Sequence, residues 1–163
     1  MLCIVQDVSV QKPRKVTLGG KEQEMKFGVI EQKVIIGASP LEVYRAYVYP
    51  KNHAAFTGTK VTGVPREGGR FTAGDGYITG KHIRLESGKR ITQEWITTEW
   101  PVGYPPSILE LTLKPKGTGT ELTMIHSKVP AEQVGYYTKG WNDFYWGPLK
   151  KYFDKASKPK QDR

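Results

Sequence analysis

A single cysteine, Cys3, stands in 163 residues. No disulfide can close within the chain and no thiolate zinc cluster can assemble, which fits a reducing compartment. Histidine is nearly as scarce: His53, His82 and His126 are the three present. No pair has the i, i+4 spacing of a helical metal site and no carboxylate cluster stands beside them, so no metal centre is expected and each is read as a structural or surface group. Nowhere do about 18 apolar residues run together, and the opening MLCIVQDVSV lacks a basic start followed by a long apolar stretch. Neither a membrane span nor export is expected, and the cytoplasm is the expected location.

The motifs of catalysis are also missing. No serine or cysteine sits in a G-x-S-x-G turn. The glycine-rich GGRFTAGDG at 68–76 lacks the Gly-Lys-Ser/Thr ending of a phosphate loop and is not followed by a helix, so it reads as a hairpin connection with Asp75 in the turn. Glu94 and Glu110 are the carboxylates within central strands, and nothing in their placement brings them together as an acid pair, so exposed strand positions are favoured. The sequence therefore predicts no enzyme and no cofactor.

What is there suffices for a folded core: 37% hydrophobic and 11% aromatic residues against 25% charged. The net charge of +9 is unevenly spread. Residues 150–163 carry six Lys/Arg against two Asp, and residues 1–27 carry five Lys/Arg against three Asp/Glu. The body between them is nearly balanced, which describes a solvated basic tail better than a nucleic-acid groove. Nucleic acid is not an expected partner.

Residues 1–27 read as an N-terminal extension with room for one extra strand, 28–156 as a single domain, and 157–163 as a basic tail. VIEQKVII at 29–36 is β-branched and bounded by glycines, which predicts a strand. Ser39-Pro40-Leu41-Glu42 is a capping box with proline at the first helical position, opening a helix that Pro50 ends near Tyr49. PKNHAAF restarts as a short second helix ending near Phe56, before Gly58. The period then changes to two, with turn signals at EGG (67–69), GDG (74–76), ESGK (86–89) and PKGTG (115–119). Between them lie strands of an antiparallel meander, with Leu109, Leu111 and Leu113 on one face and Glu110 and Thr112 on the other. The cover for that buried face comes from the end of the chain. There Trp141, Phe144, Tyr145, Leu149, Tyr152 and Phe153 recur at three- and four-residue steps on a long helix starting between Ala131 and Lys139, with a bend expected at Gly147-Pro148.

Strand, two short helices, meander and long C-terminal helix is the order of the α+β helix-grip (START-like) fold: a curved antiparallel sheet with a long helix across it. In this frame the residues follow a known order: Phe56-Thr57-Gly58, Gly69-Arg70-Phe71, Asp75-Gly76 with Ile78 and Gly80, then Ile91, Gln93 and Trp95. Trp100-Pro101, Thr120-Glu121-Leu122, Val129-Pro130, Gly140-Trp141, Tyr145 and Pro148-Leu149-Lys150 continue it. Over roughly residues 28–153 the chain resembles the C-terminal domain of the activators of heat-shock protein 90 ATPase. The resemblance implies a non-catalytic co-chaperone of the stress response that docks on the N-terminal domains of a heat-shock protein 90-type chaperone and promotes their ATP-hydrolysing state. It also implies an alternative, a carrier or sensor of a small hydrophobic ligand held between sheet and C-terminal helix. Tyr77, Trp95, Leu109, Leu111, Leu113, Trp141, Phe144, Tyr145 and Leu149 would line such a cavity, or simply fill the space. Trp100 and Tyr104, in the proline-rich loop WPVGYPP, are candidates for a partner surface or for packing over the barrel end.

Overall fold

The structure, a computed structural model, describes residues 14–18 and 21–157. Cys3 and residues 158–163 of the expected basic tail lie outside the described residues. The N-terminal extension holds two strands where one was read as possible: β1 (Arg14–Leu18) and β2 (Lys21–Met25) pair as an antiparallel hairpin. Then come β3 (Phe27–Ile36), α1 (Pro40–Val48), α2 (Pro50–Thr57), β4 (Thr62–Gly63), β5 (Arg70–Ala73) and β6 (Ile78–Glu86). β7 (Arg90–Thr97), β8 (Ser107–Lys116) and β9 (Gly119–Pro130) complete the sheet, ahead of α3 (Val134–Trp141), a π turn (Asn142–Trp146) and α4 (Gly147–Ser157). β3 to β9 form one antiparallel sheet in the order β3-β9-β8-β7-β6-β5-β4. No helix among the described residues is long and apolar enough to cross a membrane.

Local chemistry accounts for the first helices. The Ser39 hydroxyl accepts from the Glu42 N–H at 3.3 Å while the Glu42 carboxylate accepts from the Ser39 N–H at 3.0 Å, the reciprocal capping box read from sequence. Ser39→Ala is expected to cost about 1 kcal/mol of stability in a urea melt. Pro50 ends α1 and begins α2, and Gly58 at φ 74° closes α2 in the left-handed conformation.

Alternation organises the sheet. Along β7, Ile91, Gln93, Trp95 and Thr97 are buried and the residues between them half-exposed; along β8 the same holds for Ser107, Leu109, Leu111 and Leu113. The buried face meets α1 and the C-terminal helix, and the core lies between them. The three leucines are 0–4% exposed.

The C-terminal helix departs from the expected bend. Instead of a break at Gly147-Pro148, the turn before it widens: the Gly147 N–H donates to the Asn142 carbonyl five residues back. Pro148 explains this, because it has no N–H to give and its ring collides with the carbonyl four residues earlier in a regular α-helix. Gly147 permits it, since a Cβ there would come within 3.0 Å of the Asn142 oxygen. The extra residue rotates the downstream helix by about 100° relative to an unbroken 3.6-residue repeat. Trp146, off the expected stripe, is thereby turned inward (1% exposed), and Phe144, counted on it, is turned outward (69% exposed).

Candidate functional site

Between α3 and the π turn on one side and β6–β7 on the other lies a cavity of about 600 Å³. The end of α2 and the turn Gly74-Asp75-Gly76 close its flanks. All three residues of that turn have φ between 57° and 90°, a run that two glycines and an aspartate tolerate. Asp75 holds it in place by accepting from the Lys60 N–H at 2.7 Å, which sets Tyr77 and Ile78 along the cavity wall.

Five of the nine residues expected at a cavity meet around this one: Tyr77, Trp95, Trp141, Phe144 and Tyr145. Phe144 does so from the mouth, beside Tyr136, which is 61% exposed. Leu109, Leu111, Leu113 and Leu149 lie in the packed core and contribute no wall. Tyr137 and Trp146 belong to the same aromatic cluster and were missed. Tyr137 sits one turn before Trp141, a signal the sequence did offer, whereas Trp146 depends on the π turn. Trp141 is the hub: its ring lies 5.7 Å from Trp95, 4.8 Å from Tyr145 and 5.3 Å from Trp146, the last stacked nearly parallel at 13°.

Trp100 and Tyr104, the partner-surface candidates, are both half-buried. The Trp100 indole N–H donates to the Pro105 carbonyl at 3.0 Å, and its ring stands 6.0 Å from Trp95. The Tyr104 hydroxyl accepts from the Lys26 N–H at 3.1 Å, and its ring meets Phe27 edge-on at 5.4 Å. Val102, between them, is 76% exposed.

All three histidines are buried and none is a surface group. His126 accepts at Nδ1 from the Trp141 indole N–H (3.1 Å) and donates from Nε2 to the Ser107 hydroxyl (2.8 Å), which donates to the Trp95 carbonyl (2.6 Å). A second proton on this ring would face an N–H donor, and burial lowers its pKa to about 3. His53 donates from Nδ1 to the Tyr47 carbonyl (2.9 Å) and accepts at Nε2 from the Tyr145 hydroxyl (2.9 Å). Burial lowers its pKa to about 4 and raises those of Tyr47 and Tyr145. His82 accepts at Nδ1 from the Gln93 amide (3.2 Å), whose carbonyl accepts from the Tyr47 hydroxyl (3.2 Å); burial brings this histidine to about 4 as well. These neutral networks tie the sheet to α1, α2 and the cavity's back wall. Gln32 does the same on β3, accepting from the Trp146 indole (2.8 Å) and donating to the Thr138 carbonyl (3.0 Å).

The family model described as activator of Hsp90 ATPase homolog 1-like protein matches residues 37–154. The human activator of 90 kDa heat shock protein ATPase homolog 1 is 32% identical over 115 residues, covering 71% of this chain and 34% of that protein. The corresponding homolog of Dictyostelium discoideum is 26% identical over 121 residues, covering 74% of this chain and 31% of that protein. The chain thus spans about a third of the length of these curated relatives. Among solved structures, an HSP90 activator from Plasmodium falciparum is similar with a TM-score of 0.71 at 18% identity, over 77% of this chain and 96% of that one. CalU16 from Micromonospora echinospora is similar with a TM-score of 0.60 at 25% identity, over 93% and 90%.

Proposed function

Because the chain belongs to the family of activator of Hsp90 ATPase homolog 1-like proteins, we propose that it is a non-catalytic binding domain of co-chaperone type. It docks on a heat-shock protein 90-type chaperone and raises the chaperone's ATP turnover. The observation that carries this is the family match over residues 37–154, which takes in every helix but for the last three residues of α4, and all but the first strand of the seven-stranded sheet. The surface fits the role. Tyr136 and Phe144 stand exposed on a helix whose other side is locked into the core, and large aromatics on a rigid support are the residues that anchor protein interfaces. Trp100 and Tyr104 brace the neighbouring loop, in which Val102 projects.

The test is the ATPase rate of the source organism's heat-shock protein 90 with and without the chain, together with a direct binding measurement. The rate is expected to rise with added chain. Phe144→Ser combined with Tyr136→Ser is expected to weaken binding about tenfold or more, with stability changed by no more than about 0.5 kcal/mol per site because both side chains are exposed. A chaperone that neither binds the wild-type chain nor changes its turnover overturns the reading.

A second reading, binding of a small apolar molecule, is favoured by the cavity of about 600 Å³ walled by Tyr77, Trp95, Trp141 and Tyr145. The two readings meet at the cavity mouth, where Tyr136 and Phe144 stand.

A further inference from the structure

The chain has four tryptophans, and three of their indole N–H groups are spoken for. Trp100 donates to the Pro105 carbonyl at 3.0 Å, Trp141 to His126 at 3.1 Å and Trp146 to Gln32 at 2.8 Å. Trp95 is 4% exposed, yet its N–H has no hydrogen-bond partner among the described residues. A buried indole ordinarily finds one. Nor is the group sealed in protein: among the described residues, Arg90 Nε is the only fully enclosed side-chain nitrogen or oxygen lacking a partner. Trp95 alternates with Ile91, Gln93 and Thr97 on the inner face of β7, the face that looks onto the cavity.

The hydroxyls of the inner wall are committed elsewhere, while the Tyr136 hydroxyl and the Lys139 ammonium stand at the exposed mouth. The Tyr145 hydroxyl gives its proton to His53, that of Tyr137 to Gln133 and that of Tyr77 to Glu99. Thr57 donates to the His53 carbonyl and holds the Thr59 hydroxyl at 3.0 Å. Charge stays at the mouth, where Lys139 and Asp143 stand 4.0 Å apart with both side chains exposed. A carboxylate carried into the interior would find no cation, a costly arrangement. What the inner walls offer, behind Tyr136 and Lys139 at the mouth, is aromatic faces and the uncommitted Trp95 indole.

We propose that the cavity binds a flat, neutral, apolar molecule carrying a carbonyl oxygen, and that this oxygen accepts a hydrogen bond from Trp95 Nε1–H. The proposal rests on the small-molecule reading above and names its ligand class. It makes Trp95 the specificity residue: a hydrocarbon of the same shape fills the same space but leaves the indole donor unsatisfied.

Fluorenone and fluorene share one ring skeleton and differ by the carbonyl, so they are the probes. Titrated into the full chain labelled with ¹⁵N, fluorenone is expected to bind about tenfold more tightly than fluorene and to shift the Trp95 indole resonance, identified by its loss in Trp95→Phe. In Trp95→Phe the two compounds are expected to bind within about twofold of each other. Equal affinity in the wild type with an unmoved Trp95 indole overturns the carbonyl proposal and leaves the apolar-ligand reading standing. Binding of neither compound overturns both. Should Trp95→Phe not fold, the wild-type affinity ratio and the indole shift decide alone.

Discussion

Trp141→Ala is expected to remove about 3–5 kcal/mol of unfolding free energy, a large part of the roughly 5–15 kcal/mol that holds a domain of this kind together. The side chain is 3% exposed and lies within 6 Å, ring to ring, of Trp95, His126, Tyr145 and Trp146. Its removal opens a void against the cavity and strips His126 Nδ1 of its donor, leaving a buried acceptor unpaired. For a chain of this length the loss corresponds to a midpoint about 10 °C lower. Trp141→Phe, which keeps most of the ring volume but not the N–H, is expected to lose less than half as much. Urea melts of the three proteins measure this. An alanine variant within about 1 kcal/mol of wild type would mean that the helix holds to the sheet without its hub.

The second large effect is expected from acid. His53, His82 and His126 have folded pKa values lowered by burial from 6.5 to about 4, 4 and 3. The sign follows from proton counting. Above pH 6.5 both states keep these rings neutral and they cost nothing. As the pH falls below 6.5 the unfolded chain takes up protons that the folded chain refuses, so stability falls until the pH reaches the folded values. Each group contributes a slope of about 1.4 kcal/mol per pH unit in that window. Any two of these groups together account for a loss of about 4 kcal/mol between pH 6.5 and 4.5. Stability is therefore expected to fall steeply between pH 6.5 and 4.5, before ordinary carboxylates are half protonated. Denaturant melts from pH 7.5 to 4.5 test it. A flat stability over that range would mean that these rings protonate in place. His53→Gln, if folded, should flatten the curve by one group's share.

How much of this was legible beforehand follows from the range over which each force acts. The capping box at Ser39–Glu42, the proline between α1 and α2 and the turn at Gly74–Gly76 are set within four residues, and all three could be read directly. The strands declared themselves by alternation, as at Leu109, Leu111 and Leu113, because a sheet with one buried face must repeat every second residue. The helix-grip order and the family motifs followed from these. Counting the helical stripe at 3.6 residues per turn, with a bend at Gly147-Pro148, places Phe144 on the buried face and passes over Trp146, whereas Phe144 reaches the cavity from its mouth and Trp146 is buried. The Gly147-Pro148 pair widens one turn and shifts the register.

The sequence by itself determined the capped helices and the meander strands, their order, the architecture and the family, because caps, turns and periodic burial are local properties of the chain. Tertiary structure alone decided which side chains became chemistry. His53 meets Tyr145 across 92 residues and Trp146 meets Gln32 across 114. No local pattern encodes those distances. They fix which histidines stay neutral, which hydroxyls are used up, and that three of four similar indoles find acceptors while Trp95 finds none among the described residues, since hydrogen bonding is settled by three-dimensional neighbours once the backbone has closed around them.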